Sequence, residues 1–236
     1  MVLPLHDDNP TTTRPYVTVG IMVACTVMYV FQHLLMSQAG AVRVAYMLGV
    51  VPAVLTGRVP MPEELALLPA SATVVTSMFL HGGFWHLAGN MLYLWIFGNN
   101  IEDAMGHVRF FIFYLLCGVA AVFAQVLPNP GSEVPMLGAS GAISGVLGAY
   151  MLLYPRARVL LGLPVGFLIV SLGRFPAVWV LLVWFAMQLV MGGLSLTRPP
   201  GTGGGIAFGA HVGGFVAGLL LVMLFKRRNV PLWRPY

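Results

Sequence analysis

The runs at residues 108–127 (VRFFIFYLLCGVAAVFAQVL), 175–194 and 206–225 are each long enough to cross a bilayer and almost free of charge. A helical span needs about 20 predominantly apolar residues at a rise of ~1.5 Å each. Inside lipid every backbone N–H and C=O must be bonded within the protein, which leaves helices or closed barrels. Barrel strands alternate apolar and polar residues over about ten positions, and these runs do not. The chain is therefore read as an all-α integral membrane protein whose first partner is the lipid bilayer. Only 8% of its 236 residues are charged and 58% are hydrophobic, against roughly 25% and 45–50% in soluble domains. Its formal charge of +5 lies in residues at the ends of apolar runs. They read as topology signals, and nucleic acid is not expected as a partner.

Six spans are predicted, at about 16–36, 84–104, 108–127, 138–154, 175–194 and 206–225. The stretch 159–172 (VLLGLPVGFLIVSL) is short and broken by glycine and proline, which suits an interfacial or re-entrant piece. Six spans with both termini cytoplasmic leave Arg14, Arg109, Arg156, Arg158, Arg174, Lys226, Arg227, Arg228 and Arg234 inside and only Arg43, Arg58 and Arg198 outside, as the positive-inside rule requires. Residues 37–80 form a long outer segment broken by Pro52, Pro60, Pro62 and Pro69. Residues 1–15 read as a polar cytoplasmic tail without the apolar core of a signal peptide, 16–225 as one bundle domain and 226–236 as a basic tail. Cys25 and Cys117 fall in separate apolar runs and read as packing residues.

Polar side chains inside spans are expensive, so each is a functional candidate. HGGFWHLAGN carries His81, His86 and Asn90 at the outer end of the second span. His86 and Asn90, four apart, share a helix face. Interhelical hydrogen bonding is one reading of this cluster. A zinc site is another, but it lacks a third ligand. MLGASGAISG places Ser140 at the start of the fourth span, where a serine is either a helix cap or something more reactive. Gly141, Gly145 and Gly148 recur at spacings of four and three, a smooth face for a neighbouring backbone. AHVGGFVAG puts His211, Gly214 and Gly218 on one face of the sixth span. Two glycine faces in contact would bring Ser140 and His211 together at their outer ends.

Depth agrees. The second, fourth and sixth spans run in the same direction, and His86, Asn90, Ser140 and His211 each lie near the start of their span. A serine hydroxyl needs a base, and a histidine within hydrogen-bond reach is the usual one. Attack on a carbonyl also develops an oxyanion, which backbone N–H groups at a helix start and the side chains of His86 and Asn90 can receive. No carboxylate falls in a span at the depth of His211, so the chemistry is that of a dyad. The residues themselves reach a membrane-embedded serine hydrolase, with amide and ester substrates both open.

Over residues 70 to 225 the three motifs, in order and spacing, resemble the rhomboid family of intramembrane serine proteases. HGGFWHLAGN is similar to its second-helix motif, GASG to its nucleophile motif and AHVGGFVAG to its sixth-helix motif. The resemblance implies a six-helix rhomboid-like bundle in which Ser140 is nucleophile and His211 general base and acid. It implies an oxyanion hole of His86, Asn90 and the Ser140 backbone N–H. Gly138 and Gly141 belong to the nucleophile motif, Gly214 and Gly218 to the helix-six motif, His81 to the site mouth, and Glu102 to a structural position. Asp103 reads as a solvated helix end. The implied substrates are transmembrane proteins cut near the outer end of their helix, with no metal or other cofactor, in a bacterial inner membrane with the site open to the outer face.

Two features depart from the family pattern. A Trp-Arg pair of some members' first outer loop is absent here, and Ser144 stands where some members stack an aromatic ring on the catalytic histidine; Tyr150 and Phe215 are the candidates to replace it. A pseudoprotease that binds transmembrane clients, and a small transporter, are the rival readings. RPPGTGGG at 198–205 lacks the G-K-[ST] ending of a phosphate-binding loop and reads as a flexible connection. With the fifth span, marked by Pro176, Trp179, Trp184 and Gln188, it forms a candidate gate for substrate helices.

Overall fold

Helix α1 (Tyr16–Leu34) leads into a series of short elements over residues 37–80: α2 (Gln38–Leu48), α3 (Pro52–Leu55), a 3-10 turn at Glu63–Leu65, α4 (Ala70–Thr76) and a second 3-10 turn at Ser77–Phe79. The prolines of this segment fix its breaks, since α3 starts at Pro52 and α4 follows Pro69. Helix α5 (Phe84–Tyr93) passes through a π turn at Leu94–Gly98 into α6 (Asn99–Met105). Gly106, at φ +84°, breaks the chain before α7 (His107–Val126). Then come α8 (Ser140–Leu153), α9 (Ala177–Leu196) and α10 (Phe208–Phe225). The computed structural model describes residues 2–166, 168–196 and 207–233; the RPPGTGGG connection lies outside the described residues.

Among the described residues four helices are long and apolar enough to span a membrane: α1, α7, α9 up to Ser195, and α10. A fifth candidate is the pair Glu63–Phe79 and Phe84–Met105, bent by 79°. Helix α8 has 14 residues, roughly 21 Å at ~1.5 Å per residue, short of the ~30 Å hydrocarbon core. It is instead wrapped in protein, with every residue from Gly141 to Tyr150 buried. The core forms around it from Phe97, Phe110, Phe113, Tyr114, Leu147 and Phe215. Apolar side chains such as Val183, Val190 and Leu220 stay exposed on α9 and α10.

The expectation of an all-α fold needs correcting. Residues Leu3–Asp7 (β1), Arg158–Val165 (β2) and Leu168–Pro176 (β3) form an antiparallel sheet in the order β1-β2-β3. The stretch predicted to be interfacial or re-entrant is thus a hairpin, closed between Val165 and Leu168 with Gly166 at φ +60°. Its aliphatic, β-branched composition suits a strand as well as it suits a membrane surface. The polar residues at the chain start are tied down as well. Leu3 to Asp7 pair with β2, and the Asp8 carboxylate accepts from the Arg158 N–H at 2.7 Å.

The two ends of the bundle differ in character. At one end Asp103 accepts from Thr12 and Thr13, Glu102 accepts from the start of α1, and the Arg227 N–H donates to the Ala104 carbonyl at 2.9 Å. The sheet joins this basic end through Tyr150, near the last turn of α8, whose hydroxyl donates to Asp7. The opposite end gathers the starts of α5, α8 and α10. There His33 at the end of α1 bonds the His81 carbonyl through Nε2 at 2.8 Å, and the Gly138 N–H donates to the Ser77 carbonyl.

Candidate active site

The site begins with the glycines of α8 and α10. A Cβ on Gly214 would overlap the Gly141 carbonyl oxygen, one on Gly218 the Gly145 carbonyl oxygen, and one on Gly148 the Phe215 carbonyl oxygen. The two backbones therefore touch along their length, a packing only small residues permit. Above this contact, the Cβ position of Gly141 is 3.7 Å from both the Cβ and the carbonyl oxygen of Ala210. A methyl group on the residue after Ser140 would thus just reach the residue before His211. Ser140 and His211 both line one cavity of about 910 Å³, together with His86, Asn90, Ser144 and Trp184. Among the described residues no hydrogen bond joins Ser140 Oγ to His211, a separation common before substrate binds.

Gly138, at φ +129°, turns the loop into α8. Its Cβ position lies 2.8 Å from both Cε1 and Nε2 of His86 and 3.7 Å from Ser140 Oγ. The His86 ring therefore closes over the loop beside the serine hydroxyl. Asn90, one turn further along α5, is buried, and its Nδ2 donates to nothing among the described residues. A donor left free in a cavity wall is what a developing oxyanion requires. His81 is fully buried and meets the His86 ring edge-on at a centroid distance of 5.2 Å. Among the described residues no group of three or more His, Cys, Asp or Glu side chains is gathered.

Ser144, one turn into α8, is buried and donates to the Ser140 carbonyl at 2.7 Å. The rings around His211 come from elsewhere. Trp184 of α9 lies at 5.9 Å and 35° to the imidazole, and Phe208 stands edge-on at 6.4 Å. The two rings considered from the sequence do other work. Phe215 stacks on Phe185 at 4.4 Å, and Tyr150 packs against Phe97 and hydrogen-bonds Asp7.

Sequence reasoning also missed the partner of the imidazole. His211 Nδ1 lies 2.8 Å from Gln188 Oε1 on α9, in the place a carboxylate holds in a triad. Gln188 is visible in the sequence as a polar residue in an apolar span, and intramembrane polarity is the one signal that marks it. Gln125, at the end of α7, accepts from the Ala210 N–H at 3.2 Å and steadies the first turn of α10.

Glu102 is fully buried away from this cavity. Its carboxylate accepts from the N–H groups of Val17 and Thr18, from the Thr18 hydroxyl and from His107. Asp103 is not merely a solvated helix end, because it receives the hydroxyls of Thr12 and Thr13 at 2.8 and 2.7 Å.

A family model described as Rhomboid domain matches residues 70–228. Rhomboid protein 1, mitochondrial, of Saccharomyces cerevisiae is 40% identical over 93 residues, 38% of this chain and 27% of that protein. Rhomboid protease GluP of Bacillus subtilis is 41% identical over 78 residues, 33% of this chain and 15% of that one. Presenilin-associated rhomboid-like protein, mitochondrial, of Homo sapiens is 36% identical over 97 residues, 39% and 26% of the two chains. The matches thus span about a quarter of these relatives' length, or less.

Proposed function

The chain belongs to the rhomboid family, and on that premise we propose that it is an intramembrane serine endopeptidase cleaving transmembrane proteins through Ser140 and His211. The observation that carries this reading is the glycine-lined contact of α8 with α10, which leaves both side chains in the wall of one cavity beside Asn90, whose Nδ2 is unpartnered among the described residues. The reaction needs no group beyond these residues and water. Ser140 Oγ attacks the peptide carbonyl carbon while His211 Nε2 takes the hydroxyl proton. The oxyanion receives the Asn90 amide, the His86 ring N–H and the Ser140 backbone N–H. Collapse breaks the C–N bond, and His211 returns its proton to the leaving amine, leaving an ester on Ser140. Water, deprotonated by His211, then hydrolyses that ester.

The same reading takes α1, the α5–α6 segment, α7, α8, α9 and α10 as six membrane segments of a domain over residues 16–225. Both termini lie with the basic end in the cytoplasm, and the cavity opens to the outer face of a bacterial inner membrane. The charge distribution supports this orientation, since Arg14 and Arg109 stand at the starts of α1 and α7, Arg156 and Arg158 follow the end of α8, and Arg227 bonds Ala104, all at the end opposite Ser140.

The test is purified protein in liposomes with a single-span substrate. The native chain is expected to cut near the outer end of the substrate helix, and Ser140→Ala and His211→Ala to abolish cutting. Equal cleavage by native protein and Ser140→Ala ends the protease reading. Labelling of Ser140 by a fluorophosphonate separates an active hydrolase from a client-binding pseudoprotease or a transporter.

A further inference from the structure

We propose that Gln188 is the positioning residue of the site, holding the proton of His211 on Nδ1 so that Nε2 is left bare to act as base. The role rests on the protease reading above. A neutral imidazole carries one N–H, and the nitrogen that accepts a proton must be the other one. Which nitrogen is protonated follows from the partner of the opposite edge of the ring. Here that partner is Gln188 Oε1, 2.8 Å from Nδ1.

The amide cannot easily turn over. Gln188 Nε2 donates to the Trp184 carbonyl at 3.4 Å, and a carbonyl only accepts, so the amide oxygen is the end that faces the ring. Gln188 is 7% exposed, which keeps water from competing for the bond. The rings of Trp184 and Phe208 flank the imidazole and limit its rotation. The titratable side chain that shares the cavity wall with it from another element is His86 of α5. Among the described residues no carboxylate lines the cavity, so the amide is the acceptor in place to set the tautomer.

An amide differs from a carboxylate in one respect. It orients the ring without adding a negative charge beside the imidazolium that forms during the reaction. Since Gln188 and Trp184 both sit on α9, His211 keeps its reactive tautomer only while α9 is docked. Opening the cavity by moving α9 would disarm the base in the same motion.

The test reads the tautomer and the chemistry separately, on the full chain in detergent micelles. ¹⁵N-histidine NMR, with His211 assigned by comparison with His211→Ala, is expected to give an Nδ1–H imidazole in the native protein. Gln188→Met, which keeps the length and loses the acceptor, is expected to lose that signature and to label Ser140 with fluorophosphonate roughly 10- to 100-fold more slowly. Gln188→Glu restores an acceptor and is expected to restore both. Gln188→Leu serves as the second acceptor-free variant if Gln188→Met does not fold. Native labelling of Ser140 together with an unchanged rate and tautomer in Gln188→Met overturns the positioning role and leaves the protease reading standing. An Nδ1–H tautomer lost in Gln188→Met, in a native protein whose Ser140 does not label, upholds the contact and overturns the protease reading.

Discussion

Gly218 of α10 rests against the carbonyl oxygen of Gly145 of α8 with no room for a methyl group between them. Side chains cannot yield here, because the atom in the way is backbone. Gly218→Val should therefore force the helices apart, at a cost of about 3 kcal/mol or more. Ser140 and His211 move with their helices, so activity should be lost along with stability. Gly20→Ala in α1 is the control, since a Cβ there meets nothing within 4 Å, and alanine favours a helix by ~1 kcal/mol over glycine. Thermal unfolding in detergent and fluorophosphonate labelling should show Gly218→Val impaired in both and Gly20→Ala in neither. A Gly218→Val protein as stable and reactive as the native chain would remove the close contact from the account.

Asn90 presents a buried Nδ2 that no protein group among the described residues uses. If that donor serves the oxyanion, Asn90→Ala should lower kcat about 10²- to 10³-fold with KM little changed. Deleting an unpartnered donor costs the fold little, so the thermal midpoint should stay near native. Steady-state kinetics on a transmembrane substrate in liposomes checks the division. A rise in KM at constant kcat would assign Asn90 to substrate binding instead.

Glu102 fastens the start of α1, where Pro15 offers no side-chain cap. Its two oxygens accept the Val17 and Thr18 N–H groups at 2.9 and 2.8 Å, the Thr18 hydroxyl at 2.7 Å and His107 Nδ1 at 2.6 Å. Hydrogen bonds to a buried charge are worth ~1.5–3 kcal/mol each, and their loss strands donors in the interior. Glu102→Ala should lower stability by roughly 3 kcal/mol and reduce the yield of folded protein. Gln, with one acceptor oxygen, should lie between. Thermal midpoints of the three proteins test the order, and Glu102→Ala at the native midpoint would contradict it.

Short-range regularity made much of this legible. Glycines at spacings of three and four on two spans announce a helix contact, and His86 and Asn90 share a face by their separation of four. What escaped lies in contacts that leave no local pattern. Gln188 meets His211 from a different helix, and an amide among apolar residues belongs to no motif. Trp184 rather than Tyr150 or Phe215 flanks the imidazole because α9 leans on α10 at that depth. The sheet escaped for a related reason. Its first strand, LPLHD, finds its partner about 150 residues later, and a short apolar run such as VLLGLPV reads equally as strand, buried helix or interfacial segment.

That sheet also carries a pH dependence. Tyr150 donates to Asp7 at 2.5 Å, and Asp7 is 5% exposed where β1 meets the bundle. Burial pushes the Asp7 carboxyl up to about 6 from 3.8, opposed in part by the Tyr150 hydrogen bond. The folded pKa is thus raised, and the folded state binds the proton more tightly than the unfolded chain. Stability from this group is complete below about pH 4, falls as pH rises through the window from 3.8 to about 6, and stays lower above it. A shift of this size corresponds to ~2–3 kcal/mol. Asp7→Asn keeps an acceptor for Tyr150 and carries no proton to lose, so its stability should be flat across the window. Thermal midpoints at pH 4 and pH 7 should therefore differ more for the native chain than for Asp7→Asn. Equal pH dependence in the two proteins would mean that other groups set it.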